Sequence, residues 1–294
     1  MNVTLTNRTR ALLAMSTAAF FFAIMSALTK AITSPSVTAY PLPAGVVAFY
    51  RYFGSILVLL FLAFREDVSL LGEDRKALLW RGISGGIASV SYFMSIQNTS
   101  LTHAVILNYT SILWGPLFAA FALREFPPRK YLFALPIAIA GVLLIMRPEA
   151  GTIRWGDAVG LFSGLVSGGA IVQIRHLRRS EGAPAIFFYF NLIGLPVSLL
   201  ALYGTGGHLV IPNMVQLPYL VGISMTSLIA QLLMTYGYRE ISTAEGGILN
   251  LTTNIYSALI AIYFFHDIPQ VGTVWGAFLI LASAIALIIQ RRRA

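Results

Sequence analysis

Ten apolar stretches, each roughly 17–23 residues long, fill this chain of 294 residues almost end to end. They run at about 11–31, 44–64, 78–98, 102–123, 130–146, 155–175, 185–204, 217–239, 243–264 and 271–290. A helix rises about 1.5 Å per residue, so each stretch is long enough to cross the ~30 Å hydrocarbon core of a bilayer. Connections as short as Thr99–Leu101 and Glu240–Ser242 make consecutive spans antiparallel. The sequence therefore predicts an all-α membrane protein with ten transmembrane helices. The first span follows Arg8 and Arg10; it is too long for a signal peptide, and no small-residue cleavage site follows it.

Composition narrows the chemistry. Charged residues make up 11% of the chain and hydrophobic ones 57%, against about 25% charged in soluble domains. The longest polar interval, Arg65–Lys76, leaves no room for a soluble domain. There is no cysteine, which excludes disulfides, thiolate catalysis and cysteine-held metals. His103, His176, His208 and His266 lack metal-ligand spacing. No phosphate-binding glycine loop with its lysine occurs, so nucleotide-driven transport is excluded and no cofactor is expected. An intramembrane enzyme would need a mid-span nucleophile beside a base, and no histidine lies mid-span.

The second half repeats the first. Leu107-Asn108-Tyr109-Thr110-Ser111 recurs as Leu249-Asn250-Leu251-Thr252-Thr253, and Arg124-Glu125-Phe126-Pro127 as His266-Asp267-Ile268-Pro269, both at an offset of 142. The boundary falls near Arg147, giving repeats 1–147 and 148–294. Five spans per repeat is an odd number, so the copies cross the membrane in opposite senses. An inverted 5+5 repeat is the architecture of secondary transporters, whose sites lie between the halves near the midplane.

The net charge of +9 has its explanation in topology, not in nucleic acid. With the N-terminus cytoplasmic, sixteen Lys and Arg residues fall on inner segments, Arg75, Lys76 and Arg81 among them, and three on outer segments: Lys30, Arg147 and Arg154. Such a bias sets both termini in the cytoplasm. Trp80, Trp155 and Tyr203, at span ends, suit interfacial anchors.

Two polar stripes point to a site. In the ninth span Gly246, Asn250, Thr253, Asn254, Ser257 and Ala261 share one helical face, and in the fourth Ala104, Asn108, Ser111, Ile112, Gly115 and Ala119 do the same. Amides are costly against lipid, so these faces turn to protein or to a hydrated cavity. They either line a central cavity or bind neighbouring helices. Tyr92, Tyr236 and Trp114 add candidate walls; Trp114 is either an interhelical donor or part of a substrate surface. Arg51, about seven residues into the second span, either has a structural role, snorkelling outward, or receives a substrate carboxylate. His103 and Glu245 occupy equivalent repeat positions at span starts, as gates or as helix caps. Gly156, Gly160, Gly164 and Gly168, spaced by four in the sixth span, form a ridge for close helix packing. No acidic residue occupies mid-span, which gives no support to proton coupling.

At Phe49-Tyr50-Arg51-Tyr52-Phe53, at Asn108 through Pro116 to Glu125, and at Asn250 to Asp267 followed by Gly276-Ala277-Phe278-Leu279-Ile280, the chain resembles the drug/metabolite transporter superfamily. The likeness is to its ten-helix bacterial branch of two EamA-type repeats, most of all the aromatic amino-acid and metabolite exporter group. Pro116 is matched by Ala258, so any hinge there belongs to one half. The resemblance implies a cavity enclosed by spans 1–4 and 6–9, with spans 5 and 10 to one side. The expected function is an inner-membrane exporter of amino acids or similar small metabolites; the alternative is efflux of drugs or lipophilic cations. The expected partners are that small molecule and the lipid.

Overall fold

The protein is described here by a computed structural model covering residues 7–66, 69–122, 131–146, 154–241 and 243–289. Among these residues it is all-helical: α1 (Asn7–Thr33), α2 (Ala44–Glu66), α3 (Arg75–Asn98), α4 (Leu101–Tyr109), α5 (Ser111–Ala122), α6 (Tyr131–Met146), α7 (Trp155–Leu177), α8 (Ala183–Gly204), α9 (Leu217–Glu240), α10 (Thr243–Phe265) and α11 (Val271–Ile289). Five of them, α1, α2, α7, α8 and α9, are individually long and apolar enough to cross a membrane. Large apolar side chains such as Phe61, Leu200, Ile255 and Phe278 stand exposed on the outer surface. In water that surface would be strongly unfavourable, and in lipid it is the expected one. The chain is a multi-pass membrane protein. Trp80, Trp155 and Tyr203 are all exposed near helix ends.

The stretch expected as one span at 102–123 is two helices. At Thr110 the α-helical ladder gives way to tighter bonds: the Thr110 N–H donates to the Leu107 carbonyl at 3.3 Å, and the Leu113 N–H to the Thr110 carbonyl at 2.8 Å. The Thr110 hydroxyl donates to the Leu107 carbonyl at 2.7 Å. Its counterpart 142 residues on, Thr252, donates to Leu249 at 2.6 Å, yet α10 runs unbroken. The interruption belongs to the half carrying Pro116, which lies inside α5 and cannot donate to the preceding turn.

The glycine ridge of α7 is what lets these helices meet. A Cβ at Gly156 would lie 2.6 Å from the Asn98 carbonyl oxygen, at Gly160 2.6 Å from Ser95 Oγ, at Gly164 2.5 Å from the Leu107 carbonyl oxygen, and at Gly168 2.7 Å from Trp114 Cβ. The ridge therefore runs along the end of α3 and the junction of α4 with α5, from Leu107 to Gly115, in close approach of the helices. On the other side of the bundle, α1 lays Ala11, Met15, Ala19 and Ala23, all fully buried, against α9 and α10. The neighbours form a pattern. As α7 packs on α3 and on α4–α5, so α1 packs on α9 and α10; α2 packs on α8, α6 on α11, and α4–α5 on α10. Exchanging the halves maps this set onto itself. α6 and α11 form a peripheral pair, with Gly141 against the Gly276 carbonyl.

Two helical glycines five residues apart supply a matched test. Gly164→Ala puts a methyl into the Leu107 carbonyl, and overpacking of this kind costs about 1–3 kcal/mol. Gly169→Ala meets nothing closer than Phe118 Cδ2 at 3.8 Å. Thermal melting in detergent should show a clear loss for the first and no loss for the second; equal effects would contradict the ridge.

Candidate functional site

A cavity of about 110 Å³ lies among the helices of the bundle, and every described helix except α6 and α11 contributes to its wall. The polar stripes meet here: Asn108 from α4, Ser111 from α5 and Asn250 from α10 all border it. Arg51 and Tyr92 border it too. Asn108 does both things its sequence position left open. It faces the cavity, and its Nδ2 donates to Ser163 Oγ at 2.5 Å and to Ser167 Oγ at 3.3 Å on α7. Tyr92 is held by a 2.7 Å hydrogen bond with Ser26. Tyr109, also on the wall, donates to Thr253 Oγ1 at 2.9 Å, and Thr253 donates to the Ala19 carbonyl at 3.2 Å. That chain of bonds ties α4, α10 and α1 together around the cavity.

Arg51 does not snorkel. It is 1% exposed, donates from Nε to Ser227 Oγ at 2.6 Å and from Nη1 to Ser89 Oγ at 2.7 Å, and lies within 4.8–5.6 Å of the ring centres of Tyr52, Phe190 and Phe93. Desolvation is offset by hydroxyls and aromatic faces, without a carboxylate.

Several expected wall residues lie off this cavity. The α10 stripe from Gly246 to Ala261 spans ~22 Å at 1.5 Å per residue, and the cavity reaches it only at Asn250. Thr253 and Ser257 are buried in helix packing, and Asn254 Oδ1 is buried without a partner. Trp114 lies one turn past Ser111, its Cβ against Gly168 and its indole N–H unpaired. Tyr236 is 38% exposed and turns away from the centre.

Two cavity residues escaped the sequence reading. Arg81 counts there as one of three basic residues at a cytoplasmic helix start, yet it is 3% exposed and lines the cavity beside Phe190, 4.8 Å from the ring centre. The signal was Gly85 one turn later: a Cβ there would collide with Arg81 Nη1, so glycine is what leaves room for the guanidinium. Gln231, on α9, was missed because a single amide in an apolar run has no partner in the pattern. Both remain unsatisfied. Arg81 Nε and Nη1, Gln231 Oε1 and Asn250 Oδ1 are buried with no hydrogen-bond partner. Native interiors pair nearly all such groups; unpaired atoms occur elsewhere too, at Trp114, Asn254 and Ser257 for example, but these three side chains converge on one cavity.

A second polar cluster sits at the other ends of α3 and α4. Ser100, not His103, caps α4, accepting from the His103 N–H at 3.2 Å. The His103 ring bridges Asp157 Oδ1 at 3.3 Å and Thr273 Oγ1 at 3.0 Å, and Thr99 donates to the same Asp157 oxygen at 2.8 Å. Asp157, in the first turn of α7, is fully buried. The cluster links α3, α4, α7 and α11. The side chain of the other gate candidate, Glu245, lies outside the described residues, as do Glu125 and Arg147.

Residues 9–147 and 154–289 each match the EamA-like transporter family. Among curated relatives, a pseudopaline exporter of Pseudomonas aeruginosa is 29% identical over 92% of this chain and 93% of its own length. Solute carrier family 35 member G1 of Homo sapiens is 24% identical over 84% of this chain and 71% of its own. An S-adenosylmethionine uptake transporter of Rickettsia bellii is 20% identical over 84% of each. One solved crystal structure is similar over 96% of this chain and 98% of its own, with a TM-score of 0.69 at 18% identity, a likeness of fold alone.

The Asp157 cluster can be tested by stability. Asp157→Ala leaves Thr99 and His103 without their acceptor, and an unsatisfied buried donor costs about 1–3 kcal/mol. Asp157→Asn keeps an acceptor oxygen and should lose markedly less in a detergent melt. Identical losses would mean the hydrogen bonds contribute nothing.

Proposed function

The chain belongs to the EamA-like transporter family, and on that premise we propose that it is a secondary transporter of the bacterial inner membrane. It exports amino acids or similar small metabolites by alternating access to the central cavity. The observation that carries this reading is the meeting of Asn108 and Asn250, repeat counterparts, on the wall of one cavity. Two copies of an EamA-type unit, 1–147 and 148–294, would supply the two sides of that chamber. The doubled family match and the exchange pattern of helix neighbours both support the duplication. The ten-span, inverted topology with both termini cytoplasmic rests on the odd span count and on the sixteen-to-three distribution of basic residues. His103, in its cluster with Asp157, is a candidate outer gate, and Glu245 its inner counterpart.

The chemistry of the wall suits an amino-acid-like solute. Guanidinium donors take a carboxylate, amide oxygens of Gln231 and Asn250 take N–H groups, and the rings of Phe22, Tyr92 and Tyr109 accept apolar parts. Size argues the same way. A cavity of about 110 Å³ is well below the roughly 300–1,000 Å³ of pockets for drug-sized ligands. Efflux of lipophilic cations also lacks a carboxylate to attract the cation, since no Asp or Glu borders the cavity among the described residues.

Counterflow of labelled amino acids in proteoliposomes tests the reading. Asn108→Leu and Asn250→Leu should each cut flux at least tenfold while the purified proteins still fold. Normal flux in both variants would remove the cavity from the transport path.

A further inference from the structure

We infer that the central cavity is a receptor for oxyanions, with Arg81 as the residue that takes the substrate's carboxylate, and that the transported solute carries net negative charge. The inference deepens the transport reading and rests on the same cavity.

Two guanidiniums reach this chamber, and they differ in kind. Arg51 has neutral partners on Nε and Nη1 and three rings around it. Arg81 has one ring, Phe190, and two buried N–H-bearing nitrogens with nothing to bind. Both arginines stack near the same Phe190 ring, which brings their charges close together. Like charges so placed repel, and burying a cation without a full set of partners is costly. Beyond the Phe190 ring, no carboxylate compensates, since none lines the cavity among the described residues. Gly85 leaves room for the guanidinium, since a Cβ there would collide with Arg81 Nη1. The fold thus holds an under-partnered cation at the edge of a solute-sized void.

A bound oxyanion removes each of these costs at once. It accepts from Arg81 through the guanidinium fork, in the geometry that guanidiniums and carboxylates share, and it screens Arg81 from Arg51. A phosphate group has the same acceptor chemistry. An ammonium group finds only neutral amide oxygens and two nearby positive charges. Solutes with more carboxylates than ammonium groups are therefore favoured over neutral and cationic ones of the same size.

The test uses the full chain in nanodiscs and an isosteric series: succinate, succinamate and succinamide, with lysine as the cation and inorganic phosphate as the other oxyanion. Binding is measured by titration calorimetry. Affinity should fall at least tenfold with each carboxylate lost, and lysine should not bind. Phosphate binding as tightly as succinate would assign the receptor to oxyanions generally, and weaker phosphate binding to carboxylates. In Arg81→Met, succinate binding should drop at least tenfold, while the ligand-free protein melts at the same or a higher temperature because an unpaired buried cation is gone. Arg81→Lys should retain part of the affinity. Equal binding of succinate, succinamide and lysine by the unaltered protein overturns the inference, as does undiminished succinate binding by Arg81→Met. Counterflow of the same compounds answers separately for transport: an anion that binds without moving keeps the receptor and refutes the carrier.

Discussion

The absence of water inside a bilayer governs this structure more than any single contact. Every polar group placed there must find its partner within the protein. Most hydroxyls do so locally, donating back to the preceding turn, as Thr29 does to Met25, Thr33 to Thr29 and Thr226 to Gly222. Others join helices, as Asn108 does with Ser163 and Tyr109 with Thr253. Against that background the groups that stay unpaired carry information. Arg81, Gln231 and Asn250 come from three different helices and border the same void. Packing alone gives no reason for that convergence, and a solute does.

The scaffold around the void depends on close backbone approach. The glycine ridge of α7 brings Leu107 and Asn108 against it at the point where α4 gives way to α5. Asn108 is fixed by α7 serines immediately beside its cavity face, so one contact both holds the bundle and positions a wall residue. Gly85 has a parallel role for Arg81. In both cases a missing side chain makes room for a polar residue to reach the cavity wall.

The helices were legible because long apolar runs leave the backbone no alternative. The pairing of Asn108 with Asn250 was legible because the repeat marks equivalent positions. The rest was not, for local reasons. Arg81 follows Arg75 and Lys76 in sequence and looks like one more cytoplasmic charge; its burial follows from the glycine one turn on and from Phe190, more than a hundred residues away. The α10 stripe runs longer than the cavity, so periodicity names Thr253, Asn254 and Ser257 without saying which level faces the void. The break at Thr110 goes with Pro116, whose counterpart is Ala258, and not with the threonine, since Thr252 makes the same side-chain bond within an unbroken helix; Pro116 alone does not say at which residue the helix divides. Asp157 was passed over because it opens its span, and its burial beside His103 needs α3, α4 and α11 in place.

The central claim is that the unpaired groups surround a solute path that opens to water. The chain has no cysteine, so a single thiol at Asn250 can be probed cleanly in oriented membrane vesicles with a small charged thiosulfonate, beside a thiol at Ile255 on the exposed apolar surface. The account predicts that the Asn250 thiol reacts from each face of the membrane, while the Ile255 thiol stays inert. A thiol at Asn250 that reacts from neither face, or as slowly as the one at Ile255, would contradict it.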